Sequence, residues 1–219
     1  MKTQINLRTL KAVSLAASTE ETRFYLNGVL LDIAPHRVIY VATDGHRMLV
    51  AHEALDAESE DGPFDLTGQF IVPNGVIKDI KITGRNTITR DILEAESATT
   101  TKLTLQRSGK IFTPIDGTFP DYRRVIPAPH KGTPKDWPHY NADYLATFAK
   151  FHQIMTHGCP GQSGGRYRLC TKDSSSPAAV LFDDLDAFGV IMPVRTYDPE
   201  WKHPAWLSDI TSPKSSATV

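Results

Sequence analysis

The hydrophobic pattern changes its period within residues 1–55. Residues 6–17 place apolar side chains at helical spacing, with Asn6 positioned to cap the helix. The spacing then becomes that of strands rich in β-branched and aromatic residues, over 23–33, 37–43 and 46–55. Asp44-Gly45 is a hairpin signal, because glycine tolerates the positive φ that such turns need. This block is therefore predicted to be one helix followed by an antiparallel meander.

The same order of elements recurs further along the chain. Residues 69–82 begin as a strand and turn helical around Pro73, which suits a first helical turn. Three strand-like runs follow, at 89–96, 101–108 and 110–116. Residues 141–155 are again helical in pattern and precede three further strands, at 166–173, 178–184 and 187–195. A unit of strand, helix and three-stranded meander thus occurs three times, as an internal repeat of roughly 60 residues.

Composition and charge narrow the functional classes. The 219 residues are 40% hydrophobic and 22% charged, which favours a packed core over global disorder. The net charge of -1 argues against a globally basic nucleic-acid binder but leaves room for a local basic face. Two cysteines are too few for a disulfide framework, and nothing resembles a signal peptide or a membrane span. We therefore expect a cytoplasmic protein without membrane contact.

Two polar clusters stand out as candidate sites. Thr43-Asp44-Gly45-His46-Arg47 sets a hydroxyl, a carboxylate, an imidazole and a guanidinium at one turn. Catalysis is disfavoured because alternate residues of a strand turn need not face each other and no nucleophile motif accompanies them. A plain turn and a binding surface both stay open. The segment FPDYRRVIP, 119–127, is either a rigid cationic and aromatic knob or a proline-bounded domain end.

Metal and cofactor sites are not predicted. His152, His157, Cys159 and Cys170 have the spacing of no zinc module, so they are interpreted as scattered loop and core residues. The glycine-rich stretch 158–165 lacks the Lys-Ser/Thr pair of a phosphate-binding loop.

Three motifs in order carry a resemblance to a known family. They are TRFYLNGVLLDI with VIYVATDGHRMLVA, then FIVPNGVI, then DGTFPDYRRVIP. Together they closely resemble the middle domain of the bacterial DNA polymerase III β sliding clamp, and FGVIMPVR resembles the last strand of that family. The match is close over residues 3–127 and weaker over 138–195.

The resemblance implies an α+β DNA clamp fold of repeated β-α-β-β-β units, with antiparallel sheets outside and helices inside. On this basis residues 1–128 form a domain like the middle clamp domain, and 129–137 form a linker. Residues 138–196 form a half-domain like the second half of the last clamp domain, and 197–219 form a partly disordered tail. An isolated half-domain would leave an apolar sheet face to be covered.

Functionally, the resemblance implies a processivity factor and not an enzyme. Such a protein would assemble as a homo-oligomer around duplex DNA, without reading sequence, and tether DNA polymerase and other proteins that carry clamp-binding peptides. A clamp-derived module that binds such peptides without encircling DNA is the alternative. No cofactor is implied.

Residue by residue, the resemblance implies a peptide-binding pocket with walls from three segments. They are Arg23, Leu26, Thr43, Gly45, His46, Arg47 and Met48, then Pro120, Arg124 and Val125, and then Val190, Ile191, Met192, Pro193, Val194 and Arg195. The expected DNA-facing residues are Arg8, Lys11, Tyr25, Lys78, Lys81 and Lys150.

Overall fold

The computed structural model describes residues 1–55, 64–82, 90–96, 102–129, 134, 136–156 and 165–195. Its strands are β1 (Lys2–Asn6), β2 (Gly28–Ala34), β3 (Arg37–Thr43), β4 (Arg47–Ala54), β5 (Gly68–Pro73), β6 (Arg90–Ala95), β7 (Leu103–Leu105), β8 (Lys110–Phe112), β9 (Arg168–Cys170), β10 (Ala178–Leu181) and β11 (Ala187–Ile191). Its α-helices are α1 (Leu7–Val13), α2 (Asn74–Lys78) and α3 (Ala142–Met155). Short 3₁₀ helices lie at Ser14–Ala16, Glu21–Leu26 and Tyr122–Val125.

The strands form two antiparallel sheets. One has four strands in the order β1-β6-β7-β8, and the other has seven in the order β5-β2-β3-β4-β11-β10-β9. The third repeat unit joins the first directly, because β11 pairs with β4 from Ala187 opposite Ala51 to Ile191 opposite Arg47. Segments that are far apart in the sequence therefore share one continuous sheet.

Helix α1 begins at a side-chain cap and buries one face. The Asn6 side-chain oxygen accepts hydrogen bonds from the backbone N–H groups of Arg8 and Thr9, at 2.9 and 3.2 Å. Leu10 and Val13 are fully buried on the same helix. The apolar spacing read from the sequence thus becomes the side of α1 that faces the sheets.

The three helices form one layer, with α1 in contact with both α2 and α3. Helix α3 begins at Asn141, whose side chain accepts a hydrogen bond from the Asp143 N–H at 2.8 Å, and it buries Phe148 and Phe151 completely. These rings belong to the same core cluster as Leu10 and Ala42 of the first unit. The apolar face of the third unit is therefore packed against the first unit, and no second copy of the chain is needed to cover these rings.

Gly189 allows this close packing. A Cβ atom at this position of β11 would lie 2.5 Å from Cε1 of Phe148 and 3.1 Å from the Met48 carbonyl oxygen. Any side chain there would collide with a ring that is itself fully buried. Glycine is thus required by the approach of α3 to the sheet.

The opposite face of the seven-stranded sheet is also apolar. It carries a second cluster that includes Leu30, Val41 and Val190, covered by Phe119 and Tyr122 from the proline-rich segment. This segment therefore packs on the sheet, and it does so on the side away from the helices.

Several strands are shorter than expected, and two expected strands are partly or wholly replaced by other structure. The strand predicted over 23–33 begins only at Gly28, because 21–26 close into a 3₁₀ helix. The Asn27 side-chain amide donates to the Glu20 carbonyl at 3.0 Å, and the Leu26 carbonyl accepts from the Ser18 N–H at 3.0 Å, so the segment bonds to itself and to the preceding loop. The strand expected before α3 is reduced to one bridge between His139 and Val194.

Some of the residues singled out in the sequence lie outside the described residues and cannot be compared with the structure. The tail 197–219, His157 and Cys159 lie outside the described residues, as does most of the linker 129–137. His152 is buried, and its Nε2 lies 3.0 Å from both Asp184 carboxylate oxygens. Within the described ranges no group of three or more metal-ligating side chains is found, and no helix there is long and apolar enough to cross a membrane.

Candidate functional site

A cavity of about 250 Å³ opens on the sheet face that carries the second apolar cluster. It lies where the β3–β4 turn, β11, the 3₁₀ helix 21–26 and the segment 119–125 meet. The residues that line it are Arg23, Tyr25, Leu26, Thr43, Gly45, His46, Arg47, Met48, Phe119, Pro120, Asp121, Tyr122, Val125, Val190 and Met192.

The polar cluster at 43–47 divides into residues whose side chains build the turn and residues whose side chains contact helix α3. The Thr43 hydroxyl donates to the Arg47 carbonyl at 2.8 Å and accepts from the Gly45 N–H at 3.0 Å. One Asp44 carboxylate oxygen accepts from the N–H groups of His46 and Arg47, both at 2.9 Å. Gly45 has a φ of 91°, as a hairpin turn of this kind requires. The hydroxyl and the carboxylate therefore serve the turn itself.

His46 and Arg47 connect that turn to helix α3. The His46 ring stacks on the Tyr144 ring with centroids 5.9 Å apart, and the Arg47 guanidinium carbon lies 4.7 Å from the same centroid. Arg47 also donates to the Thr147 hydroxyl and pairs through Nε with Asp44 at 3.1 Å. The cation at the cavity rim is therefore held in place from both segments.

The proline-rich segment forms the opposite wall and is tied to β2. The Tyr122 hydroxyl donates to the Asp32 carboxylate at 3.1 Å, and the Arg123 guanidinium pairs with the same carboxylate. Arg123 also lies over the Tyr122 ring, 4.6 Å from its centroid. Burial, followed by the charge of Asp32, raises the pKa of Tyr122, so this hydroxyl keeps its proton and acts as a donor.

The last strand supplies the remaining wall. Met48 and Val190 are paired across β4 and β11, and both are buried beside the cavity. Met192 follows the strand end, donates its N–H to the His46 carbonyl at 2.8 Å and is 38% exposed. The cavity thus has buried apolar walls and a partly exposed apolar lip.

The structure brings most of the expected pocket residues together. Arg23, Leu26, Thr43, Gly45, His46, Arg47, Met48, Pro120, Val125, Val190 and Met192 all line the cavity. Five expected residues do not line it. Arg124 and Arg195 are exposed outside it, Ile191 is fully buried in the core on the helix side, and Pro193 and Val194 lie beyond the end of β11. Ile191 is displaced because alternate residues of a strand face opposite sides of the sheet.

The residues expected to face DNA differ in exposure and in position. Lys78, Lys81 and Lys150 are exposed on or just beyond α2 and α3, whereas Lys11 donates its ammonium to the Ile80 carbonyl at 2.7 Å. Arg8 on α1 is half-buried. Tyr25 lies apart from these helices, because the 3₁₀ helix that replaces the expected strand turns it into the cavity.

The sequence analysis did not predict four of the residues that line the cavity, nor the two residues of α3 that contact Arg47. Tyr25, Phe119, Asp121 and Tyr122 line the cavity although they were not expected there. Tyr144 and Thr147 fix Arg47 from α3. The aromatic residues of FPDYRRVIP were the available signal for Phe119 and Tyr122, whereas no sequence signal pairs α3 with the β3–β4 turn.

The comparisons with known proteins decide the family. The family model for the central domain of the DNA polymerase III beta subunit matches residues 1–121. The chain belongs to this family. The beta sliding clamp of Vibrio cholerae is 35% identical over 129 residues, which are 57% of this chain and 32% of that protein. The beta sliding clamp of Pseudomonas putida is 30% identical over 122 residues, which are 55% of this chain and 31% of that protein.

Solved structures extend the likeness of fold beyond the family match. The DNA polymerase sliding clamp of Pseudomonas aeruginosa superposes with a TM-score of 0.64 at 19% identity, covering 90% of this chain and 67% of that chain. The sliding clamp of Bacillus subtilis gives a TM-score of 0.61 at 17% identity, covering 90% and 65%. These likenesses confirm the α+β clamp fold, including the third unit. The chain nevertheless spans only about a third of the length of the curated relatives it matches.

Proposed function

We propose that this protein is a sliding-clamp-like factor of DNA replication whose cavity captures a short peptide carried by DNA polymerase and other partner proteins. The supporting observation is the cavity at the β4–β11 junction, which neither the first nor the third unit could form alone. The role is one of binding and not of catalysis.

The chemistry of the cavity suits an extended peptide with apolar anchors. Leu26, Met48 and Val190 form walls that would bury leucine or phenylalanine side chains. Arg23 and His46 add polar groups at the edge, which would fix the direction of the peptide. Apolar walls supply affinity and a few polar groups supply orientation.

Peptide titration tests this assignment. A peptide with glutamine, leucine and phenylalanine anchors should bind with a Kd on the order of micromolar, or about -8 kcal/mol. Met192→Asp should remove most of the binding, because the carboxylate would enter an apolar lip. Ile111→Asp is the matched control, since Ile111 is 69% exposed on β8 and lies outside the cavity. Equal loss of affinity in both variants would contradict the assignment.

We also propose that the helix layer faces duplex DNA. Lys78, Lys81 and Lys150 are exposed there, and phosphate contacts by such residues are insensitive to sequence and weaken steeply with salt. Reversing these three charges to glutamate should abolish retention on circular DNA. The matched control reverses Arg124, Arg166 and Lys172, which are exposed outside the three helices. If both triple variants are released from the circular DNA to the same extent, the net charge of the protein and not this surface accounts for retention.

The proposed assembly is a homo-oligomer. Within the described residues β1 and β8 are the outer strands of one sheet and β5 and β9 those of the other, and an outer strand can pair with another chain. Light scattering on the full chain should therefore give a mass that is a fixed multiple of the mass of one chain across a concentration series. A monomer that still binds the peptide would instead support an interaction module that does not encircle DNA.

A further inference from the structure

The chain leaves the described structure at the edge of the cavity. Met192 lines the cavity, and Val194 is held beside it by donating its N–H to the His139 carbonyl at 2.7 Å. Arg195 is the last described residue, and residues 196–219 follow it. The described chain therefore ends within three positions of the cavity lip.

The sequence of the tail contains the side chains that such a cavity would accept. Two of the three tryptophans of the chain, Trp201 and Trp206, lie there. Trp206 is followed by Leu207, then by Ser208 and Asp209, and then by Ile210. We propose that the segment Trp206–Ile210 of the same chain occupies the cavity and competes with partner peptides for it.

The connecting length permits this contact. Residues 196–205 lie between the last described residue and the proposed ligand segment, and ten residues span at most about 35 Å when fully extended. A tether of this length gives an effective concentration in the millimolar range. A segment with only modest intrinsic affinity would therefore fill the cavity for most of the time.

The charge and the exposed apolar area of the cavity complement the segment Trp206–Ile210. Val125 is 50% exposed and Met192 is 38% exposed at the lip, so an apolar ligand would remove both from water. The His46 ring and the Arg23 guanidinium, which also pairs with Glu20 at 2.7 Å, lie at the edge as hydrogen-bond donors for the Asp209 carboxylate. Trp206 offers a large apolar surface with one polar N–H. The bound tail would be an internal cover that a partner must displace.

This inference rests on the proposed function, because it assigns an occupant to the same cavity. Its direct test is NMR of the full chain labelled at the methionine methyl groups. Met48 and Met192 line the cavity, whereas Met1 and Met155 do not. Trp206→Ala should shift the Met48 and Met192 signals, through the lost ring current, and leave those of Met1 and Met155 in place. Trp137→Ala, which removes a tryptophan that is 75% exposed outside the cavity, should shift neither pair.

Two results of the methionine experiment would overturn the inference. Unchanged Met48 and Met192 signals in Trp206→Ala would overturn the inference. A shift that appears only at high protein concentration would also overturn it, because the occupant would then be the tail of a second copy.

Competition separates this inference from the proposed function. The double variant Trp206→Ala/Leu207→Ala should bind the anchor peptide about 10-fold more tightly than wild type, as the removal of a tethered competitor requires. Equal affinities would show an open cavity and overturn the tail as its ligand. No peptide binding by either protein, together with the methionine shifts, would refute the partner-peptide role and leave the tail contact standing.

Discussion

The guanidinium carbon of Arg47 lies 4.7 Å from the centre of the Tyr144 ring, which joins the β3–β4 turn to helix α3 at the mouth of the cavity. The same ring stacks on His46. One aromatic side chain of the third unit thus fixes two residues of the first, and the rim of the cavity depends on both units.

A double-mutant cycle on this pair should show coupling. Arg47→Ala and Tyr144→Leu together should destabilise the protein by less than the sum of the single changes, with a coupling energy of about 0.5–2 kcal/mol. The expectation follows from the guanidinium, whose side chain is only 17% exposed, over the ring face. Unfolding free energies of the four proteins in urea provide the measurement. Additivity within about 0.3 kcal/mol would show that the contact contributes little.

Enlarging Gly189 should strain the contact between β11 and α3. Gly189→Ala would place a methyl group 2.5 Å from the buried Phe148 ring, so we expect a loss of about 1–3 kcal/mol in the free energy of unfolding. Adding Phe148→Leu should offset part of the penalty, because the smaller side chain frees the space. If the double variant is no more stable than the sum of the single effects implies, Phe148 is not the obstacle.

The sequence predicted the fold more completely than it predicted the site. The β-branched and aromatic residues over 37–43 mark β3 with the bounds that the structure gives, and the helical period over 141–155 marks α3 to within one residue. Both signals arise from burial, on both faces of β3 and on one face of α3, which a single sequence records directly. The 3₁₀ helix at 21–26 escaped because its determinants are individual hydrogen bonds, such as that from Asn27 to Glu20.

The site was harder to predict because it depends on the meeting of distant segments. Family resemblance supplied many of the residues that line the cavity, whereas periodicity alone supplied none of them. Tyr144 and Thr147 occupy ordinary positions on a helix, and only the β4–β11 pairing brings them to Arg47. Asp32 similarly reads as a polar residue of a strand until Tyr122 and Arg123 fold onto it.

Removing the Asp32 charge should weaken peptide binding without unfolding the protein. Asp32→Asn keeps an acceptor for the Tyr122 hydroxyl but loses the ion pair with Arg123, so the wall that carries Val125 is held less firmly. We expect a loss of about 3- to 10-fold in peptide affinity, or about 1 kcal/mol. Asp183→Asn is the matched control, since it breaks the exposed pair with Arg168 on the third unit. Affinity losses of equal size in the two variants would mean that the wall is not positioned by Asp32.

Glu53 accepts a hydrogen bond from the Tyr40 hydroxyl at 2.7 Å. Burial raises the pKa of Glu53 above its ordinary value of 4.5, against the opposing effects of Tyr40 and of Arg90, whose Nε lies 3.7 Å away. As the pH rises through 4.5, the unfolded chain therefore releases this proton before the folded protein does. The contribution of Glu53 to stability is greatest at low pH and declines as the pH rises above that value.

Glu53→Gln should remove this decline, because glutamine keeps an acceptor for Tyr40 but cannot ionise. The difference in unfolding free energy between variant and wild type should move in favour of the variant between about pH 4 and pH 7. Tyr40→Phe should act in the opposite direction: the ionised carboxylate loses its donor, the pKa of Glu53 rises further, and stability falls more steeply with pH. Urea unfolding at several pH values checks both variants. Profiles that stay parallel to wild type would show that the ionisation of Glu53 does not differ between the folded and unfolded states.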